Sequence, residues 1–198
     1  MIRVVVIDDE EMIRSAIVAL LALEPDLDVV GEAGNGADGL DVVRAHEPDV
    51  VLLDLEMPPT DGIEVAAQIG RSARSVLMTR HARPGVLRRA LAVDIAGFVP
   101  KSTPVSALAQ VIRDVAAGKR YVDSEVAAAA LDAEASPLSD RELDALRLTR
   151  RHLSVAEIAR TLHLAEGTVR NYLSSAMTKT DTSSRYEAAE HAYEHGWI

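Results

Sequence analysis

Five times within its first 118 residues the chain passes from a short β-branched run into a helical stripe, and no other feature narrows its fold so far. Ile2-Arg3-Val4-Val5-Val6-Ile7 reads as a strand covered on both faces. Met12, Ile13, Ala16, Ile17, Leu20 and Leu21, spaced by three and four, read as the helix after it, stopped by Glu24-Pro25-Asp26. The series continues with Leu27 to Gly31 and a helix over 36–46, then Val50 to Leu53 and a helix over 62–70. Ser75 to Met78 leads to a helix over 84–92, with Pro84 in its first turn, where a missing N–H costs little. Gly97-Phe98-Val99 is the fifth strand, and Thr103-Pro104 is expected to cap a helix striped by Val105, Leu108, Ala109, Ile112 and Val115. Repeated β-then-α order predicts a doubly wound α/β domain with a parallel five-stranded sheet over residues 1–118.

The pattern then changes. Residues 119–137 read as a linker, with a short helix in the run Ala127 to Ala130 and a loose end at Ala133-Glu134-Ala135-Ser136-Pro137. Residues 138–198 carry no strand signal. Three Ser-x-x-Glu pairs (Ser139 with Glu142, Ser154 with Glu157, Ser184 with Glu187) have the capping-box spacing, and a further helix over 166–178 lies between the last two. Four short helices in about 60 residues predict an all-α four-helix bundle of the size of a small DNA-binding domain.

Composition excludes several classes of function. The 198 residues include no cysteine, which removes disulfides, thiolate metal sites and cysteine nucleophiles. No uncharged apolar run approaches the ~20 residues of a membrane span. Met1-Ile2-Arg3-Val4 opens directly into a strand without a signal-peptide pattern, so a cytoplasmic location without membrane partners is expected. Few aromatics argue against single-strand binders that stack bases. The net charge of −10 is uneven: residues 1–118 carry 11 Lys/Arg against 18 Asp/Glu, whereas 147–185 carry 7 basic residues against 3 acidic. An acidic front and a locally basic back imply two tasks, the second on a polyanion.

In a doubly wound sheet ligands bind beyond the carboxyl ends of the strands. Strand one ends in Asp8-Asp9, strand three in Asp54, strand four in Thr79, and strand five is followed by Lys101. Carboxylates about 5 Å apart repel by roughly 3 kcal/mol per pair at an effective dielectric of ~20, so such a cluster needs a counter-ion. Mg²⁺, a hard cation that keeps several waters, suits an open carboxylate rim. Mg²⁺ and Lys101 beside a carboxylate would stabilise a transferring phosphoryl group, with Asp54 as nucleophile and Thr79 donating to a phosphoryl oxygen. Taken singly, each residue has an ordinary structural role: a helix cap, packing, a solvated cation. Their joint appearance at the strand ends is what carries the expectation.

Val6-Ile7-Asp8-Asp9-Glu10, the segment Leu52 to Gly62 and Gly97-Phe98-Val99-Pro100-Lys101 together resemble the receiver domain of two-component response regulators. The resemblance implies that Asp54 accepts phosphate from a sensor histidine kinase. It implies that Asp9 holds Mg²⁺ directly, Asp8 through water, and the backbone carbonyl of Glu56 as a third protein ligand. It also implies that Thr79 and Phe98 form a switch. Arg80 stands where the family has a small residue, either near the phosphate or turned to solvent; Glu56 and His81 flank the approach of water and are expected to set the phosphate's lifetime.

The segments Leu138 to Glu142 and Val155 to Tyr172 resemble the LuxR-type helix-turn-helix, which makes the whole chain similar to the NarL/FixJ class of regulators. The resemblance implies that 154–162 is the first helix of the motif and 166–178 the recognition helix. Arg170 and Asn171 are types that read guanine and adenine bidentately. Thr168, Arg160 and Lys179 suit phosphates, and Ser174 is a further candidate contact. The alternative for all six is a solvated helix face. Ala165 stands where a Ser cap is usual. A narrower resemblance, in His81 to Gly85, Gly118-Lys119-Arg120, Gly167 to Tyr172 and Glu194 to Trp197, is to regulators paired with membrane-thermosensing kinases, and implies control of a lipid-desaturase promoter.

The expected function is a transcriptional response regulator, not an enzyme beyond a transient aspartyl phosphate and its self-hydrolysis. Phosphorylation is expected to promote a homodimer through the faces of helices one and five or four and five, with one and five favoured, and to deliver two DNA-binding domains to paired half-sites of double-stranded promoter DNA. Two rivals remain: an aspartyl-phosphate hydrolase with Glu56 as general acid two residues after Asp54, and a regulator that works unphosphorylated.

Overall fold

The computed structural model describes residues 1–58, 60–80, 85–131 and 136–198. His81, Pro84 and the loose end at 132–135 fall outside them. Among the described residues the chain divides into two compact units, one of 1–80 and 87–128 and one of 85–86 and 129–198, so α4 and α6 below each straddle a boundary.

In the first unit the elements run β1 (Ile2–Ile7), α1 (Glu11–Leu21), β2 (Leu27–Ala33), α2 (Gly36–His46), β3 (Val50–Asp54), β4 (Glu56–Met57), β5 (Thr60–Asp61) and α3 (Gly62–Ile69). They continue with β6 (Arg74–Thr79), α4 (Val86–Ala92), β7 (Gly97–Pro100), α5 (Val105–Ala116), β8 (Tyr121–Val122) and α6 (Ser124–Leu131). The main sheet is parallel with order β2-β1-β3-β6-β7-β8, and β4 and β5 form a small antiparallel ladder. The expected five-stranded sheet thus becomes six-stranded. The extra strand, Tyr121–Val122, lies in the stretch expected to be linker and pairs with Gly97 and Phe98.

Strand alternation divides the core. Val4, Val6, Val50, Leu52, Val76 and Met78 face α1 and α5, where Leu21, Leu108, Ile112 and Val115 complete a buried cluster. Val5, Ile7, Val51, Leu53 and Leu77 are fully buried on the opposite face. There α2 approaches closely: a Cβ on Gly39 would meet Ile7 Cδ1 at 2.6 Å. Arg113 of α5 bonds Asp26 and Glu24, fastening α5 to the turn after α1. The expected Thr103 cap is not used; Pro104 is the N-cap residue of α5 and makes no side-chain cap bond.

The second unit contains α7 (Asp140–Arg150), α8 (Val155–Leu162), α9 (Glu166–Lys179) and α10 (Arg185–Glu194) around Leu146, Ile158, Val169, Leu173, Ala188, Ala192 and Trp197. Complete capping boxes open α7 at Ser139/Glu142 and α8 at Ser154/Glu157. The third is half made: Ser184 accepts from Glu187 N–H, but the Glu187 carboxylate turns to Ser183. No side-chain bond caps α9 at Ala165. Among the described residues no helix is long and apolar enough to cross a membrane.

Candidate functional site

The parallel order brings the ends of β1, β3 and β6 side by side, because Ile7 pairs with Leu53 and Asp54 with Met78. Asp8, Asp54 and Thr79 therefore meet at one rim, and all three are buried. Lys101, immediately after β7, donates its N–H to Thr79 O at 2.7 Å, which brings its side chain to the same place. Its ammonium lies 2.9 Å from Asp8 Oδ2, 2.8 Å from Glu10 Oε1 and 2.9 Å from Asp54 Oδ2. One cation thus bridges three carboxylates. Phe98, one rung along β7, is fully buried.

The loop after Asp54 depends on a glycine. Gly62 N–H donates to Leu55 O, and a Cβ on Gly62 would lie 2.2 Å from the Asp54 carbonyl oxygen. Glu56 N–H donates to Asp54 Oδ1 at 3.2 Å. Arg14 supports the other side, its guanidinium donating to Asp8 O at 2.6 Å.

Burial pushes the Asp54 carboxyl up to about 7, with Asp8 and Asp9 adding to the rise and Lys101 opposing it. Asp8 is raised for the same leading reason, burial, again against Lys101. Carboxylate oxygens of Asp8, Asp9, Glu10 and Asp54 all lie within 4.8 Å of one another. Asp8 Oδ2 is buried, and its contact with Lys101 lacks hydrogen-bond geometry. Four carboxylates gathered around Lys101, with Glu56 lining the same cavity, make an acidic, all-oxygen site. Such a donor set fits one hard divalent cation.

Glu10 was not among the expected ligands. It completes the acidic cluster, bonds Lys101, and pairs with Arg80. The only sequence signal was its place in the acidic run Asp8-Asp9-Glu10. Arg80 does not simply point to solvent: with Asp9, Glu10, Asp54, Glu56 and Lys101 it lines a cavity of about 240 Å³. The flank expected for His81 lies outside the described residues.

In the second unit Arg170, Asn171 and Ser174 are exposed on α9, and Thr168 is half-buried. Together with Gly167, whose missing Cβ faces open space, Arg170, Asn171 and Ser174 follow the three-and-four spacing of one helix face. Val169, Leu173 and Ala176 hold the opposite face in the core. Arg170 bonds Glu166 at 2.6 Å, and Arg160 is exposed on α8. Lys179, expected to meet phosphate, is exposed at the end of α9 and pairs within the unit. Its ammonium lies 2.8 Å from Glu142 Oε2, whose residue is buried and whose carboxylate also accepts from Ser139 N–H. Burial alone would raise Glu142, but Lys179, Ser175 and Ser139 outweigh it and hold the carboxyl down at about 2.

A buried aspartate beside an acidic trio and a lysine, followed by a four-helix unit with one open helix face, defines a DNA-binding two-component response regulator. The chain belongs to that family: residues 4–113 match the response regulator receiver domain and 136–192 the bacterial regulatory proteins of the luxR family. It is 37% identical to the transcriptional regulatory protein DesR of Bacillus subtilis, over 100% of both chains. It is 36% identical to the response regulator RamR of Streptomyces coelicolor, over 100% of this chain and 98% of the relative. Among solved structures it is similar to a complex of the response regulator RcsB with DNA, with TM-score 0.65, 25% identity and 98% of each chain covered.

Proposed function

We propose that Asp54 is phosphorylated by a cognate sensor histidine kinase, with Mg²⁺ in the acidic cluster, and that this drives dimerisation and promoter binding. The observation that carries the reading is the single ammonium of Lys101 in contact with Asp54, Asp8 and Glu10 at once. Asp54 Oδ attacks the phosphorus of the kinase's phosphohistidine; the P–N bond breaks and an acyl phosphate forms. Asp8, Asp9, Asp54 and the Glu56 carbonyl would hold Mg²⁺, which would neutralise the charge gathering on the transferring phosphoryl group. Lys101 follows the new phosphoryl oxygens, Thr79 donates its hydroxyl to one of them, and Phe98 repacks with it. Turnover is limited to this acyl phosphate and its self-hydrolysis, and small phosphoesters are not substrates.

The dimer forms through α1 and α5. Met12, Leu20 and Leu23 project from the α1 side into solvent, with Met12 85% exposed. Two DNA-binding units then meet paired half-sites, with Arg170 and Asn171 at base edges and Thr168, Ser174 and Arg160 on the backbone. The protein acts in the cytoplasm. The likeness to DesR makes membrane-lipid genes the first regulon to test. Genome-wide binding of phosphorylated and Asp54→Ala protein tests the reading. Promoter occupancy is expected only with the phosphorylated protein, and equal occupancy overturns it. An intact mass unchanged after acetyl phosphate and Mg²⁺ would overturn the chemistry itself.

A further inference from the structure

A second polar cavity, of about 360 Å³, opens in the first unit at the end of the sheet away from Asp54. Arg74 opens β6 and Thr79 closes it, so five residues, about 16 Å of strand, separate this cavity from the acidic rim. Three arginines line it, from three different places in the chain. Arg71 follows the C-cap of α3, Arg74 begins β6, and Arg120 immediately precedes β8. The lone carboxylate in the lining, Asp94, pairs with Arg120. Arg71 and Arg74 are exposed and make no ion pair among the described residues. Buried Ile95 and Ala96 also line the cavity, and no aromatic ring offers a base a stacking surface.

Three arginines against one carboxylate leave two formal positive charges in the lining of a pocket of small-molecule size. We propose that this cavity is an anion site for a small polyphosphate, seated by Arg71, Arg74 and Arg120. The ligand competes with Asp94 for Arg120. It ties the start of β6 to the start of β8, the two-residue strand from which the chain continues to α6. β8 is held by few backbone bonds, Tyr121 N–H to Ala96 O and Asp123 N–H to Phe98 O among them. Occupancy therefore stiffens the segment by which the chain leaves its phosphorylated half.

The test titrates sodium pyrophosphate into the full-length protein without Mg²⁺, by calorimetry at low ionic strength, with amide hydrogen exchange in parallel. Saturable one-to-one binding is expected, with slower exchange at Tyr121 and Asp123. The double variant Arg71→Ala/Arg74→Ala is expected to bind about tenfold more weakly or worse, since charge-assisted bonds carry the affinity. Arg120→Ala, measured separately, should lose both affinity and the exchange protection, whereas Asp54→Ala should bind as the parent does. Absence of saturation overturns the proposal. So does unchanged affinity in both arginine variants, which would put the anion elsewhere, such as the basic stripe of the second unit.

Discussion

Asp54 is buried deeply enough that its carboxyl sits near 7, yet its proposed chemistry needs the ionised form. Phosphorylation by acetyl phosphate at limiting Mg²⁺ should therefore rise about tenfold per pH unit below a midpoint near 7. Saturating Mg²⁺ should move that midpoint to lower pH, and an unmoved profile would argue against metal at this carboxylate. Stability follows with opposite sign. A carboxyl raised in the fold from 3.8 to about 7 favours folding when protonated, so its contribution is present at low pH and declines as pH rises through about 7. The pair of Arg80 and Glu10 beside Asp54 makes a second prediction. Arg80→Ala should leave phosphorylation intact but shorten the phosphate's half-life, read by following the phosphorylated mass with time. Asp8, Asp9, Asp54, Thr79 and Lys101 were legible because each closes or follows an apolar strand run. Glu10 was not, because only the fold turns a third acid of a run toward Lys101.

Among elements, α9, the proposed recognition helix, is weakly started and firmly ended. Ala165 has cap-like backbone angles but no side-chain oxygen to offer, so Ala165→Ser should add about 1 kcal/mol to the stability of the second unit. At the other end Lys179 is clamped to Glu142 across α7. Lys179→Met leaves a buried carboxylate without its cation and should cost about 2 kcal/mol, less than a fully buried pair because the lysine is partly exposed. Trp197, the single tryptophan and part of that unit's core, reports both changes by fluorescence in urea unfolding. The Glu142 carboxyl is depressed from 4.5 to about 2, so its stabilisation is complete above 4.5 and disappears as pH falls toward 2. Long periodic elements were readable from the chain alone. β8 was not, since two residues after Gly118-Lys119-Arg120 carry no periodicity and their pairing is decided by Gly97 and Phe98. The third pair starts its helix at Ser184 as the spacing predicts, but the box stays half made because the Glu187 carboxylate accepts from Ser183 N–H and Oγ–H.

At the scale of the whole molecule, the division into an acidic receiver half and a unit with a basic stripe separates the two jobs. Phosphorylated protein should sediment as a dimer, and Met12→Glu or Leu20→Glu should return it to monomer without reducing phosphorylation. Persistence of the dimer in both variants would place the contact on another face, with Leu91 of α4 as the next exposed apolar residue. DNA affinity of the dimer should fall steeply with salt, and Arg170→Ala should relax base preference at one position of each half-site. Lys101 joins these scales in one residue. Its side chain grips Asp54 while its peptide N–H grips the last carbonyl of β6. With Asp54 phosphorylated as proposed, a tug on the ammonium would also tug on the seam between β6 and β7, and one lysine would both sense the phosphoryl group and pass its pull onward.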